Sequence, residues 1–490
     1  MKQDPKRSAV LLVVLAAAAG GVPVTAAERP VLEYAWTCTF GGPGEDHLDA
    51  VAVDDQGGVF VAGHFDGTVD FDPGPSEDYH TSHGRHDIFI TKLNANGGFR
   101  WTRTLGGEGD DLACDLAVDN QGNILVTGWF RSTVDFDPTA GVDQHTAYGG
   151  YEDVFVTKLL ADGSYGWTQT FGGGNSDRGG GVATDSAGNV LVTGSFHNSV
   201  DFDPGPGLVL HTSNGGYDIF LSKLSGEGSH LWTRTMGGKA SDHGFAVTVD
   251  PDGNPVITGT FWHTVDFDPG AGTDEHTDGG GYVTKLNVNG TYAWTRSFGA
   301  YKNAAGWGIA AGPDGGVAVA GTFFATANFD KSHGYAYKTS AGGADLYVLK
   351  LESDGTLAWV YNAGGWKFDA AYDVAIAPWG DVLATGYYDA NADFDPSGSE
   401  DIHATRGYRD VFLVRLAGDG TYLETLTLGG TGVDDAGHAI AVSPAGHVLY
   451  GGRYESALVD FDPTESADHQ PNAGSFDGFV TKLVGPGAAR

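Results

Sequence analysis

The segment Ser132–Gly150, STVDFDPTAGVDQHTAYGG, sets two aspartates around a phenylalanine, stops at Pro138 and places His145 eight residues after Asp137. Carboxylates near an imidazole can do three kinds of chemistry. They can coordinate a divalent cation, move a proton, or hydrogen-bond a loop into place. The same pattern recurs along the chain. The first motif aspartate appears as Asp70, Asp135, Asp201, Asp266, Asp393 and Asp460, with Asn328 in the fifth copy. The histidine appears as His80, His145, His211, His276, His403 and His469, with Lys338 in the fifth copy. An upstream loop supplies Asp46, Asp111, Asp177, Asp242, Asp369 and Asp434, with Ala304 in the fifth copy. Because all three change together in one copy, they are expected to form one cluster within each unit. Asp72, Asp137, Asp203, Asp268, Asp330, Asp395 and Asp462 persist in all seven copies and are expected to do a separate local job.

Three readings of that cluster compete. The first is an Asp–His–Thr hydrogen-bond network pinning a long loop, with Thr81, Thr146, Thr212 and Thr277 next to the histidines. It requires His145 within bonding distance of Asp111 or Asp135. The second is bound metal: carboxylates and carbonyls in Gly-rich loops suit Ca²⁺, whereas direct histidine ligation points to a transition ion. The third is catalysis, which six near-identical constellations disfavour because a single active site needs asymmetry. The DFDP core lacks the third Asp/Asn and the Gly of an EF-hand loop, and no GxSxG, Walker loop, HExxH or paired CxxC is present.

These residues must be positioned by a repeat. Trp36, Trp101, Trp167, Trp232, Trp294 and Trp359 recur every 62 to 66 residues, and Phe71, Phe136, Phe202, Phe267, Phe329, Phe394 and Phe461 every 62 to 67. Each unit holds four strand-length apolar runs bounded by turns such as DSAGN and LADG, with no helical periodicity. Four antiparallel strands repeated seven times predict an all-β, seven-bladed β-propeller. YAWTCTF near the start reads as a fourth strand and GFVTKL near the end as a third, so their pairing would close the ring and leave no open edge. The tryptophans are expected to pack between blades. Lys92, Lys158, Lys223, Lys285, Lys350, Arg415 and Lys482 are expected to make weak, exposed ion pairs at blade edges.

The pattern DVFVTKL…GWTQTFGG…DSAGNVLVTGSF…VDFDPG, in variants from Tyr34 to Leu483, resembles the bacterial seven-bladed β-propeller repeat proteins of the SBBP type. The resemblance implies an extracytoplasmic propeller and says little about activity.

Composition narrows the partners. The net charge of −36 repels phosphate backbones, which excludes nucleic acid and favours cations. Residues 1–27 combine Lys2, Lys6 and Arg7, an apolar run from Ala9 to Ala19 and small residues at Ala26 and Ala27, the layout of a secretory signal peptide. Residues 28–490 are then one exported domain without a membrane span. Its two cysteines, Cys38 and Cys114, fall in different blades and are expected to stay unpaired. The leading expectation is a non-enzymatic scaffold binding a protein or glycan through its polar loop face. The alternative is a secreted polysaccharide-acting enzyme with an asymmetric site near the fifth blade, where Trp307, Phe323, Phe324, Tyr335 and Tyr337 add aromatics.

Overall fold

The computed structural model describes residues 31–300, 303–331, 334–463 and 467–485; the expected signal peptide lies outside them. The chain is an all-β propeller. Its first unit pairs His47–Val53, Val59–Asp70, Tyr79–Leu93 and Phe99–Gly107 in antiparallel order. The same quartet recurs down the chain. The last one is completed by the chain's two ends, Glu33–Phe40 running antiparallel to Asp477–Val484 with Cys38 opposite Val480. Four quartets stand as separate four-stranded sheets. One more continues into a short ribbon through Gly106↔Asp135 and Gly107↔Val134, and two are fused through Gly364↔Asp393 and Gly365↔Ala392. Among the described residues the only helical element is the 3-10 turn Tyr148–Gly150, and none is long and apolar enough to cross a membrane.

Burial explains the sequence pattern. Second and third strands are sandwiched on both faces, so Val59 to Phe65 and Asp153 to Leu159 are buried throughout, the continuous pattern of a doubly covered strand. The first strands, beginning at His47, Leu112, Arg178, His243, Ala304, Ala370 and Ala436, contact one another in that cyclic order, and the last touches the first. They ring a central channel, and the apolar clusters lie between neighbouring sheets. One such cluster joins Phe60 and Ile90 to Leu116, Phe130 and Phe136. Each buried phenylalanine contributes roughly 1.5–3 kcal/mol.

The units are also bolted together. Trp101 lies under Gly163 of the next unit's turn, where φ is +81° and a Cβ would come within 2.8 Å of the indole. Trp36, Trp167, Trp232, Trp294 and Trp359 meet Gly97, Gly228, Gly290, Gly355 and Gly420 in the same way. Four of the seven repeated cations differ from expectation, while Lys350 pairs with the exposed Asp314. Lys223 and Asp185, 2.8 Å apart, have side chains only 4% and 5% exposed, and Lys223 also donates to the carbonyl of Val288 in the next unit. Lys158–Asp119, Lys285–Asp250 and Arg415–Asp381 repeat the arrangement at 2.7 to 3.0 Å. They are buried links, because the first-to-second turn folds its aspartate under the lysine. Both cysteines are free, Cys38 buried in the closing strand and Cys114 in the channel wall.

Candidate functional site

The repeated polar residues do three separate jobs rather than forming one cluster. Asp111 accepts the backbone N–H of Gly107 at 2.8 Å on one oxygen and that of Arg131 at 2.9 Å on the other, tying its loop to the end of the second strand. Asp46, Asp177, Asp242 and Asp369 do the same. Burial pushes Asp46, Asp111, Asp177 and Asp242 up to about 7 even against those amides. The first motif aspartates close the following loop. Asp135 accepts from the N–H of Asp137 at 3.2 Å and of Asp143 at 2.8 Å on a single oxygen. Asp70, Asp201, Asp266, Asp393 and Asp460 repeat this. Asn328 does so too, through its amide oxygen, so the fifth unit keeps the contact. The second motif aspartates form the local turn, as Asp72 does with Gly74 at 2.8 Å.

The histidines bond elsewhere than expected. His145 lies 3.0 Å from the Thr170 hydroxyl on the fourth strand and 3.3 Å from Asp143, not beside Asp111 or Asp135. His80, His276 and His403 use the equivalent hydroxyl and carboxylate, while His211 has only Thr235 because residue 209 is Val. The neighbouring threonines point to the other face, Thr146 bonding Thr133 at 2.8 Å.

Three assignments shift by one residue. The loop is one residue longer in the seventh unit, so Asp435, not Asp434, takes the amides of Gly430 and Glu455. Asp434 instead pairs with Arg409 and Arg453. The loop is one shorter in the fifth unit, where Asn303, not Ala304, accepts from Ala300 and donates to Thr326. Gln470, not His469, occupies the histidine register in the seventh unit: it pairs Val459 as His145 pairs Val134, and bonds Asp468.

With the repeated groups committed to the framework, the distinctive chemistry lies in the channel. Every first strand carries a β-bulge at one matched position, held by Asp49, Cys114, Gly180, Phe245, Trp307, Tyr372 and His438. A bulge re-aims its extra residue, and here all of these line the channel cavity. All seven residues are different. Recurring motifs do not mark this position, because nothing there recurs; its sequence signal is seven unlike residues at one aligned site.

The wall has two halves. Phe245 stacks on Trp307 at 4.5 Å, Trp307 meets Tyr372 edge-on at 6.2 Å, and Tyr217 and His243 extend the arc. The indole N–H of Trp307 has no partner. Across the channel Asp49 is held by His64 at 2.8 Å and His438 at 3.3 Å. Burial opposes its charge, but the two imidazoles outweigh it and hold Asp49 well below the usual carboxylate range. Arg178 and Arg453 stand at the rim, paired with Glu152 and Asp434. These groups border a cavity of about 650 Å³ at the mouth. Deeper in, Asp115 and Asp373 each accept a neighbouring first strand's N–H at 2.8 Å, from Val182 and Ile440, and burial pushes both up to about 7. Of the fifth-unit aromatics, only Trp307 reaches this site. Phe323 is core, Phe324 is exposed, and Tyr335 stacks on Tyr337 on the surface.

No protein-family description matches the chain. It is 27% identical over 220 residues to an uncharacterized WD repeat-containing protein of Acanthamoeba polyphaga mimivirus, covering 40% of this chain and 16% of that protein. It is 26% identical over 296 residues to the regulatory protein FlaEY of Caulobacter vibrioides, covering 55% of this chain and 29% of that one. The matched stretch thus spans less than a third of either curated relative. Among solved structures, the Neurospora crassa Pan2 WD40 domain aligns with a TM-score of 0.44 and 9% identity over 90% of this chain and 89% of that one. The rhamnogalacturonan lyase YesW aligns with a TM-score of 0.27 and 12% identity over 89% and 84%. One of the two sequence relatives is thus a WD repeat-containing protein, and one of the solved structures aligned with the chain is a WD40 domain.

Proposed function

We propose that this chain is a seven-bladed propeller scaffold that binds a glycan in the mouth of its central channel. The count of seven is supported by seven strand quartets and by the cyclic contacts of their first strands. The repeat pattern supports placing the chain among the SBBP-type bacterial propellers, and the character of residues 1–27 supports export.

The single observation that carries the binding reading is the bulge position. A protein that builds the same framework seven times has put a different side chain at each point of one ring, aromatic along one arc and ionisable along the other. A sugar ring offers an apolar face to stack on Trp307 and hydroxyls for Asp49, the histidines and the free indole N–H. The scaffold's site is therefore the mouth that the polar loops surround, rather than the loops themselves.

The test is a glycan array followed by calorimetry of any bound oligosaccharide on the wild type and on Trp307→Ala. The expected result is binding that weakens at least about tenfold in the variant, the loss of one stacking platform plus its hydrogen bond. A wild type that retains no glycan, or a variant that binds equally well, rules the reading out. Capture of a protein instead would place the partner in the other class.

A further inference from the structure

Three side chains of the ionisable arc turn donor atoms toward one another. His47 begins the first strand of unit one, Asp49 is its bulge residue, and His64 is the partner of His47 on the second strand. One donor atom from each lies within 4.8 Å of those of the other two, and the two imidazole rings are 4.5 Å apart. Two imidazoles and a carboxylate form a donor set that divalent transition ions take in preference to Ca²⁺ or Mg²⁺.

The surroundings fit an ion. His47 is only 9% exposed, yet its Nε2 has no hydrogen-bond partner. Its Nδ1 faces Arg453 at 3.3 Å, but Arg453 has its stronger partner in Asp434 at 2.8 Å. Loading the ion on Nε2 puts the ring proton on Nδ1 and leaves Arg453 to Asp434. His438, 3.3 Å from the other oxygen of Asp49, is the outer group that orients the carboxylate. The channel cavity adjoins Asp49 and His64, which leaves a coordination position facing the site where a ligand would sit.

We propose that His47, Asp49 and His64 bind one divalent transition-metal ion, with His438 as the positioning residue for Asp49 and an open position toward the channel. This goes beyond the glycan reading and does not rest on it: the metal alone is the probe, so the two stand or fall separately. The experiment titrates Co²⁺ into EDTA-treated full chain and follows the visible ligand-field bands. The expected result is one ion per chain, displaced by Zn²⁺, which raises the Tm. Asp49→Asn and His64→Ala should abolish the bands, and His438→Gln should weaken binding about 10–100-fold. His276→Ala, a loop histidine bonded to Ser297, should bind as wild type. Circular dichroism establishes that each variant is folded, and His47→Gln replaces any that is not. The proposal is overturned if the wild type gives neither bands with Co²⁺ nor a Tm rise with Zn²⁺. It is equally overturned if Asp49→Asn and His64→Ala bind Co²⁺ as the wild type does, since the ion then sits elsewhere.

Discussion

A carboxylate in this protein is defined by the backbone amides that reach it, and that is where residue type alone misled. Asp434 and Asp435 are adjacent and chemically identical, but only Asp435 satisfies the N–H groups of Gly430 and Glu455. Removing it leaves buried donors without acceptors, a cost of about 1–3 kcal/mol. Asp435→Ala should therefore lower the urea midpoint clearly, and Asp434→Ala, which loses only rim ion pairs, should lower it less. Equal losses would mean that the register assignment is wrong. The repeated residue types were legible in the sequence. Their partners were not, because a one-residue change in loop length is invisible when copies are aligned by type. His469 matches by type for the same reason, being a histidine one step from the register that Gln470 fills.

At the scale of the strand, the bends matter as much as the ladders. Four residues before each motif phenylalanine the chain turns through positive φ in six units. Only one of the six, Gly67, is a glycine; the others are Ser132, Asn198, His263, Ala325 and Ala390, with φ between 55° and 66°. This bend swings the DFDP segment across its own sheet, so that Phe136 packs on Phe130 at 5.2 Å. A left-handed conformation costs a side chain roughly 1–2 kcal/mol. Ala390→Gly should accordingly stabilise the protein by up to about 1 kcal/mol, since part of the relief is offset by glycine's greater unfolded entropy. A loss of stability on denaturant melting would show that the bend is held without strain. Strand order within each unit and the pairing of the first and last strands were legible because strand-length apolar runs bounded by Gly turns repeat. The bends were not, since no glycine marked most of them. The channel residues at the bulges escaped for the opposite reason: they never repeat.

For the whole molecule, the question is what the 63 acidic residues do to stability. One part concerns metal. The loop aspartates spend both oxygens on backbone amides and the first motif aspartates one each, so millimolar Ca²⁺ added to EDTA-treated protein should leave the Tm unchanged. A bound ion at 100 times its dissociation constant would add about 2.7 kcal/mol per site. A Ca²⁺-specific rise would point to the third-strand aspartates, such as Asp87 and Asp153, each of which keeps one buried oxygen unpartnered.

The other part concerns protons. Burial raises Asp46, Asp111, Asp115, Asp153, Asp177, Asp242, Asp345, Asp373 and Asp410 to about 7, and Asp218, Asp369 and Asp477 to about 6. Between their unfolded value of 3.8 and these folded values, the native state holds protons that the unfolded chain has released. Stability from this set is therefore lost as pH rises from about 4 to about 7, and the net charge of −36 acts in the same direction. Asp49 and the lysine-linked Asp185 and Asp250 work oppositely. Their folded values are lowered, so their contribution is present above the unfolded value and lost as pH falls below it. The two sets together place the maximum on the acid side, at about pH 4–5, where the first set is still protonated and the second still charged. Thermal melts across the range should show the Tm climbing from pH 8 down to about 5 and falling again at lower pH. A Tm that climbs steadily from pH 5 to 8 would mean that the buried loop aspartates fold as ions, held by their amides more strongly than burial opposes them.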